Sequence, residues 1–129
     1  MKTKDELNSL GGEILDSSIT VHKEMGPGLL ESVYQECLWE ELNSRGVNLQ
    51  SHVPVPLVYK EKTLNKDYII DLLVENEIVI ELKAIEGVLP VHQAQIISYL
   101  KLANKRLGYL INFNVPMLKH GFTRYVNGF

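Results

Sequence analysis

Two short segments, Asp67–Val74 and Ile78–Ala84, constrain this chain more than any other stretch. Both are rich in aliphatic and β-branched residues, and they flank Glu75-Asn76-Glu77, the pattern of two strands joined by a tight loop. The side chains choose the loop length. A three-residue loop sets Val74 against Ile78, Leu72 against Ile80 and Ile70 against Leu82, so that one face is wholly apolar. A two-residue loop sets Leu72 against Val79 and mixes the faces. The three-residue register also puts Asp71 opposite Glu81, with Lys83 on the same side of the sheet. Two carboxylates held side by side repel each other unless a cation lies between them. Hard cations such as Mg²⁺ are bound by one or two carboxylates, waters and substrate phosphates. An ammonium on the same face can position an attacking water or offset charge on a phosphoryl transition state.

Around this hairpin the chain alternates helical and strand periods. Leu7, Leu10, Ile14, Val21 and Met25 recur at helical spacing, and Gly26-Pro27-Gly28 ends that helix. A second helix is expected from about Leu30 to Ser44, its stripe formed by Leu30, Val33, Tyr34, Cys37, Leu38 and Leu42, with Arg45-Gly46 as its stop. Val53–Tyr59 reads as a strand, and Pro54 and Pro56 assign it to a sheet edge. Beyond the hairpin, Pro90 opens a helix that runs to about Asn104. Leu107–Phe113 reads as a buried strand, and Phe122–Val126 as a short last one. The order α-α-β-β-β-α-β-β implies an α/β (α+β) sandwich, a mixed central sheet flanked by helices. No repeat or linker interrupts it, and residues 1–129 are the length of a single domain.

Composition removes several classes. A single cysteine, Cys37, excludes an internal disulfide and a cysteine-based zinc cage. No apolar run approaches the roughly 20 residues of a spanning helix, so no membrane role is expected. The polar start MKTKDELNSLGGEIL does not read as a signal peptide, and a reducing, cytoplasmic location is the expectation. Net charge is −3, whereas phosphate-binding proteins tend to be basic. The charge is unevenly spread: residues 1–83 hold 8 Lys/Arg against 15 Asp/Glu, and residues 84–129 hold 5 against 1. A basic rim beside an acidic centre that attracts cations fits that distribution, and so does an ordinary acidic domain with a basic tail.

The pattern D-x₉-E-L-K on a hairpin, followed by a helix carrying Gln95-x-x-x-Tyr99, resembles the PD-(D/E)XK nuclease superfamily, including its RecB-like branch. Gly28-Leu29-Leu30-Glu31-Ser32-Val33-Tyr34 also matches the G-x-x-E-x-x-Y signature that names one small family within it. The likeness runs from about Ile19 to Phe113; Ile70 stands where the superfamily usually has a proline. It implies a restriction-endonuclease-like core that uses Mg²⁺ or Mn²⁺ and water to hydrolyse phosphodiester bonds of DNA or RNA. It further implies that Asp71, Glu81 and the backbone carbonyl of Leu82 are metal ligands, and that Lys83 is the catalytic lysine. By the same likeness Glu31 binds metal directly or through water, while Gln95 and Tyr99 line the site and orient groups around it.

Each of these residues also has a plainer reading. Glu31 sits near a helix N-terminus, where a carboxylate complements the helix dipole. Tyr34 belongs to the core stripe, and Tyr99 and Gln95 can simply edge the core. His92 shares their strip as a second-tier candidate, while His22, His52 and His120 show no metal-ligand spacing. Lys101, Lys105 and Arg106 favour a helix C-terminus or contact phosphate beside the site. Two alternatives to the enzyme remain open: a catalytically inactive module that binds nucleic acid or a protein, and a homodimer built on the Val53–Tyr59 edge or the C-terminal segment.

Overall fold

The computed structural model describes residues 1–129. Its elements are α1 (Lys4–Met25), α2 (Glu31–Ser44), β1 (Leu49–Tyr59), β2 (Lys62–Val74), β3 (Ile78–Lys83), α3 (Pro90–Ala103), β4 (Leu107–Asn112) and β5 (Phe122–Val126). A 3₁₀ turn at Leu118–His120 precedes the last strand. The strands form one sheet in the order β1-β2-β3-β4-β5. Every neighbouring pair is antiparallel except β3 and β4, and α3 is the crossover that a parallel pair requires. The mixed sheet flanked by helices is the architecture expected from the order of elements. β1, with its two prolines, is indeed an edge strand. No helix is long and apolar enough to cross a membrane.

Each face of the sheet has its own core. On one, Leu72, Val74, Ile78, Ile80 and Leu82 pack with Leu7 and Ile14 of α1 and with Tyr34, Leu38 and Leu42 of α2. On the other, Tyr68, Ile70, Leu73 and Val79 pack with Leu100 of α3. Helix α1 starts earlier than its apolar period suggests, because Thr3 caps the amide of Glu6 and Glu6 caps that of Thr3. Arg45 ties α2 to α1: it pairs with Glu41, Glu13 and Asp16 at 2.8, 3.2 and 2.7 Å.

Helix α3 lies close on β4 because Gly108 has no side chain. A Cβ there would stand 3.0 Å from Leu100 Cδ2, 3.3 Å from Ile96 Cδ1 and 3.2 Å from the carbonyl oxygen of Val79. Gly108→Val must therefore push α3 off the sheet. The expected cost is about 1–3 kcal/mol, the range for overpacking a filled core. A lowered denaturant midpoint measures it; an unchanged midpoint would contradict the close packing.

The central hairpin has the register its side chains demand. Val74 pairs with Ile78, Leu73 with Val79 and Leu72 with Ile80, around the three-residue loop Glu75-Asn76-Glu77. The pairing ends there: Asp71 and Glu81 are not paired through the backbone, and Ile70 does not meet Leu82. Ile70 and Leu82 belong to different cores. Strands β1 and β2 exchange faces partway along: Leu49, Leu72 and Val74 pack toward α1 and α2, whereas Val53, Val55, Tyr68 and Ile70 pack toward α3. The exchange falls at His52, whose backbone is left-handed (φ 53°), opposite Asp71 between the pairs Ser51–Leu72 and Val53–Ile70. A left-handed residue inside a strand turns it over, because regular alternation cannot pass through that conformation.

Candidate active site

Asp71 stands at the point where the sheet changes face. Its Oδ2 accepts a hydrogen bond from the amide of Leu82 at 2.8 Å, in place of a backbone carbonyl. The β2–β3 pairing stops at Leu72–Ile80, one residue short of Asp71 and Glu81. The strands part there, and the carboxylate of Asp71 bridges them. Beyond this point β3 remains paired on its other side with β4, up to Lys83 beside Asn112. Glu81 and Lys83 alternate with Leu82 and share the face of Val79, the one toward α3.

Four charged groups meet in this opening. Glu81 is 8 % exposed, and its Oε1 has no hydrogen-bond partner. Burial first, and the neighbouring charge of Asp71 second, push its carboxyl up to about 8. Burial also raises Asp71, with the Leu82 amide, Lys83 and His52 opposing it. Glu31, the first residue of α2, is raised by burial and then by the charge of Asp71, while Lys83 pulls it down. Three carboxylates drawn from three elements therefore act on one another around a single cation. Lys83 forms no ion pair, yet its charge lowers all three.

Tyr99 closes the α3 side. Its ring stacks on Tyr68 with centroids 3.7 Å apart, and the Tyr68 hydroxyl points to the Tyr99 carbonyl at 3.4 Å. Burial raises both phenols, with Glu81 the next cause in each. Gln95, one turn before Tyr99 on the same helix face, is exposed and makes no hydrogen bond. His92 does not join them: its Nδ1 accepts the amide of Leu89 at 2.9 Å and caps the start of α3. His22 is likewise structural, lying 2.7 Å from the Val115 carbonyl and stacked on Phe113. Tyr34, stacked on Phe113 at 4.6 Å, is core.

Three further residues shape the site without having been singled out. Tyr68 supplies the second ring of the stack. Asn112, 2 % exposed, accepts the amide of Ile85 at 3.1 Å and donates to its carbonyl at 2.9 Å, pinning the segment that leaves β3 after Lys83. Its signal was present, as an amide inside the apolar run Leu107–Phe113. Gln35 of α2 lies 2.9 Å from His52 Nε2 and 3.4 Å from the Asp71 carbonyl, steadying the turned-over residue.

The donor set suits a hard divalent cation. Glu81 has a buried oxygen without a partner, beside a second carboxylate and within the field of a third. No three His, Cys, Asp or Glu side chains come close enough together to hold a metal ion, so the donors in place are the Asp71–Glu81 pair. An open arrangement of carboxylates that leaves room for water and phosphate is what Mg²⁺ prefers.

Comparison with known proteins accords with this geometry. No curated protein matches the chain, and no solved structure does. A family model described as the PD-(D/E)XK nuclease superfamily matches residues 8–125, which takes in α2, the whole sheet but its last residue, and every residue of the opening. The chain belongs to the PD-(D/E)XK nuclease superfamily.

Proposed function

We propose that this protein is a divalent-metal-dependent nuclease of the GxxExxY type, which hydrolyses phosphodiester bonds with water. The observation that carries the reading is the partnerless buried oxygen of Glu81 beside Asp71, with Glu31 and Lys83 in the same field. Burying a carboxylate without a partner is costly, and proteins keep such a group where a cation completes it. In this reading Asp71 and Glu81 hold Mg²⁺ or Mn²⁺ with the Leu82 carbonyl, and Glu31 adds a direct or water-mediated contact. The Leu82 amide fixes one oxygen of Asp71 and leaves the other free to face the ion. A bound divalent cation would supply Lewis-acid polarisation of the phosphate.

The remaining work falls to the chain. Lys83, unpaired and on the face of Glu81, orients the attacking water and offsets negative charge as it grows on the phosphate. Tyr99, held by its stack on Tyr68, and Gln95, one turn away, border the substrate side. Asn112 keeps the strand end that carries Lys83 in place.

Cleavage of a panel of single- and double-stranded DNA and RNA, with Mg²⁺ or Mn²⁺ and with chelator, tests the reading. Metal-dependent cleavage that Glu81→Ala abolishes is expected, together with a Mn²⁺ titration whose heat disappears in Asp71→Ala. Absence of cleavage and of Mn²⁺ heat in the wild type would instead favour a binding module that keeps only the fold.

A further inference from the structure

The β1–β2 hairpin extends well beyond the two cores. Every residue from Val58 to Asp67 is exposed, yet the strands stay paired out to Tyr59 and Lys62 around the turn Lys60-Glu61. A two-stranded ribbon with nothing packed on either face is marginal by itself. This one also shows Val58, Tyr59 and Leu64 to solvent. It carries three lysines, Lys60, Lys62 and Lys66, and none of them forms an ion pair.

Charge is sorted between its faces. Val55 pairs with Tyr68 and Tyr59 with Lys62, whereas Pro56 pairs with Asp67 and Val58 with Thr63. Alternation therefore puts Tyr59 and Lys62 on the face of Tyr68, and Asp67 on the opposite face. Lys66 lies in the bulged stretch of β2, where the register shifts between the Pro56–Asp67 and Val58–Thr63 pairs. The Tyr68 face leads to Tyr99 and Glu81. Lys62 thus points the same way as the candidate catalytic groups and Asp67 points away, while Lys60 and Glu61 occupy the turn.

We propose that this ribbon is a binding arm for double-stranded nucleic acid, with Lys62 and Lys66 contacting phosphates of the duplex whose backbone lies in the opening. The inference rests on the nuclease reading and deepens it by naming the form of the substrate. Along the partner strand, Tyr59, which faces Lys62, stands seven residues from His52, which faces Asp71, a span of about 23 Å at ~3.3 Å per residue. That covers about two-thirds of one duplex turn of about 34 Å. A paired ribbon of this length suits a partner whose phosphates keep a fixed spacing, which a single strand does not. A two-stranded ribbon also matches the major groove in width.

The test compares binding of a duplex oligonucleotide and of its single strand by fluorescence anisotropy, in the full chain carrying Glu81→Gln to prevent cutting. Adding Lys62→Glu and Lys66→Glu is expected to weaken duplex binding by about tenfold or more and to reduce the salt slope by about 2, near 0.9 for each phosphate contact. Asp67→Lys, on the opposite face, is expected to leave duplex affinity within about twofold, since it adds charge away from the phosphates. The substituted side chains of the ribbon are exposed, and circular dichroism checks that each variant is folded. Three results overturn the arm: no duplex binding by the parent, lysine variants that bind like the parent, or an Asp67→Lys gain as large as the lysine loss. Equal losses on single strand and duplex overturn the duplex assignment. The nuclease reading fails separately, on wild-type cleavage, because these measurements involve no turnover.

Discussion

Replacing Lys83 by methionine is expected to lower the proposed metal-dependent cleavage by about 10²–10³-fold, the usual cost of removing one group that stabilises charge in a transition state, and to leave divalent-cation binding at least as tight. The two halves of this expectation have one cause. Lys83 acts on Asp71, Glu81 and Glu31 together, and it is bound to none of them as an ion pair. Its charge is therefore free to meet a water or a phosphate oxygen. Removing that charge also removes a repulsion felt by an incoming cation. Methionine keeps an unbranched apolar stem at the half-buried position. Mn²⁺ titration should be run near pH 9, above the carboxyl of Glu81, so that protons no longer compete with the metal. Single-turnover cleavage under the same conditions gives the chemical rate. A variant that cuts normally would remove Lys83 from the mechanism. A variant that loses Mn²⁺ binding together with activity would make it a structural support of the site.

The hairpin could be read from sequence because burial on both faces leaves only one acceptable register. Leu72, Val74, Ile78 and Ile80 must share a face, and that condition alone sets Asp71 against Glu81. The helices were readable for a similar reason, as each lays one apolar stripe on the sheet. What escaped is what leaves no apolar period. His52 bears no mark of its left-handed backbone, so the exchange of faces at Asp71 was invisible, and with it the separation of Ile70 from Leu82. Residues 62–66 are polar on both faces and gave no strand signal, although they are paired with β1.

The site divides along the same line. Asp71, Glu81 and Lys83 follow from the register and from the resemblance together, whereas Glu31 leans more heavily on the resemblance, beside its place at the edge of the apolar stripe of its helix. The structure puts Glu31 within the field of Asp71 and Lys83, because α2 begins where β2 and β3 part. Gln95 remains the least engaged member, exposed and without a partner. The groups that hold the others in place, Tyr68, Asn112 and Gln35, act through tertiary contacts that no local spacing encodes. His92 shows the converse: its strip with Gln95 and Tyr99 suggested a site, and its ring caps a helix instead.

The metal-free protein is expected to lose stability as pH rises from about 4.5 to about 8, and Glu81→Gln should remove most of that loss and abolish the cleavage. In the folded chain the Glu81 carboxyl titrates near 8, while its ordinary value is 4.5. Between those two values the folded protein keeps a proton that the unfolded chain has released, so each step up in pH favours unfolding. Below 4.5 the group is protonated in both states and contributes nothing; above 8 the full penalty of a buried, unpaired carboxylate applies. Asp71, also raised, acts in the same direction. A neutral amide at position 81 has no such penalty. At pH 8.5 without metal, Glu81→Gln should therefore melt at least about 4 °C above the wild type, the shift that roughly 1 kcal/mol produces in a domain of this size. Near pH 4.5 the two should melt together. Mn²⁺ reverses the order, because it binds the ionised pair: it should stabilise the wild type increasingly as pH approaches 8 and leave the variant almost unchanged. A metal-free wild type whose melting temperature stays level or climbs across this window would show that Glu81 is satisfied without a cation, and the metal reading of the site would fall with it.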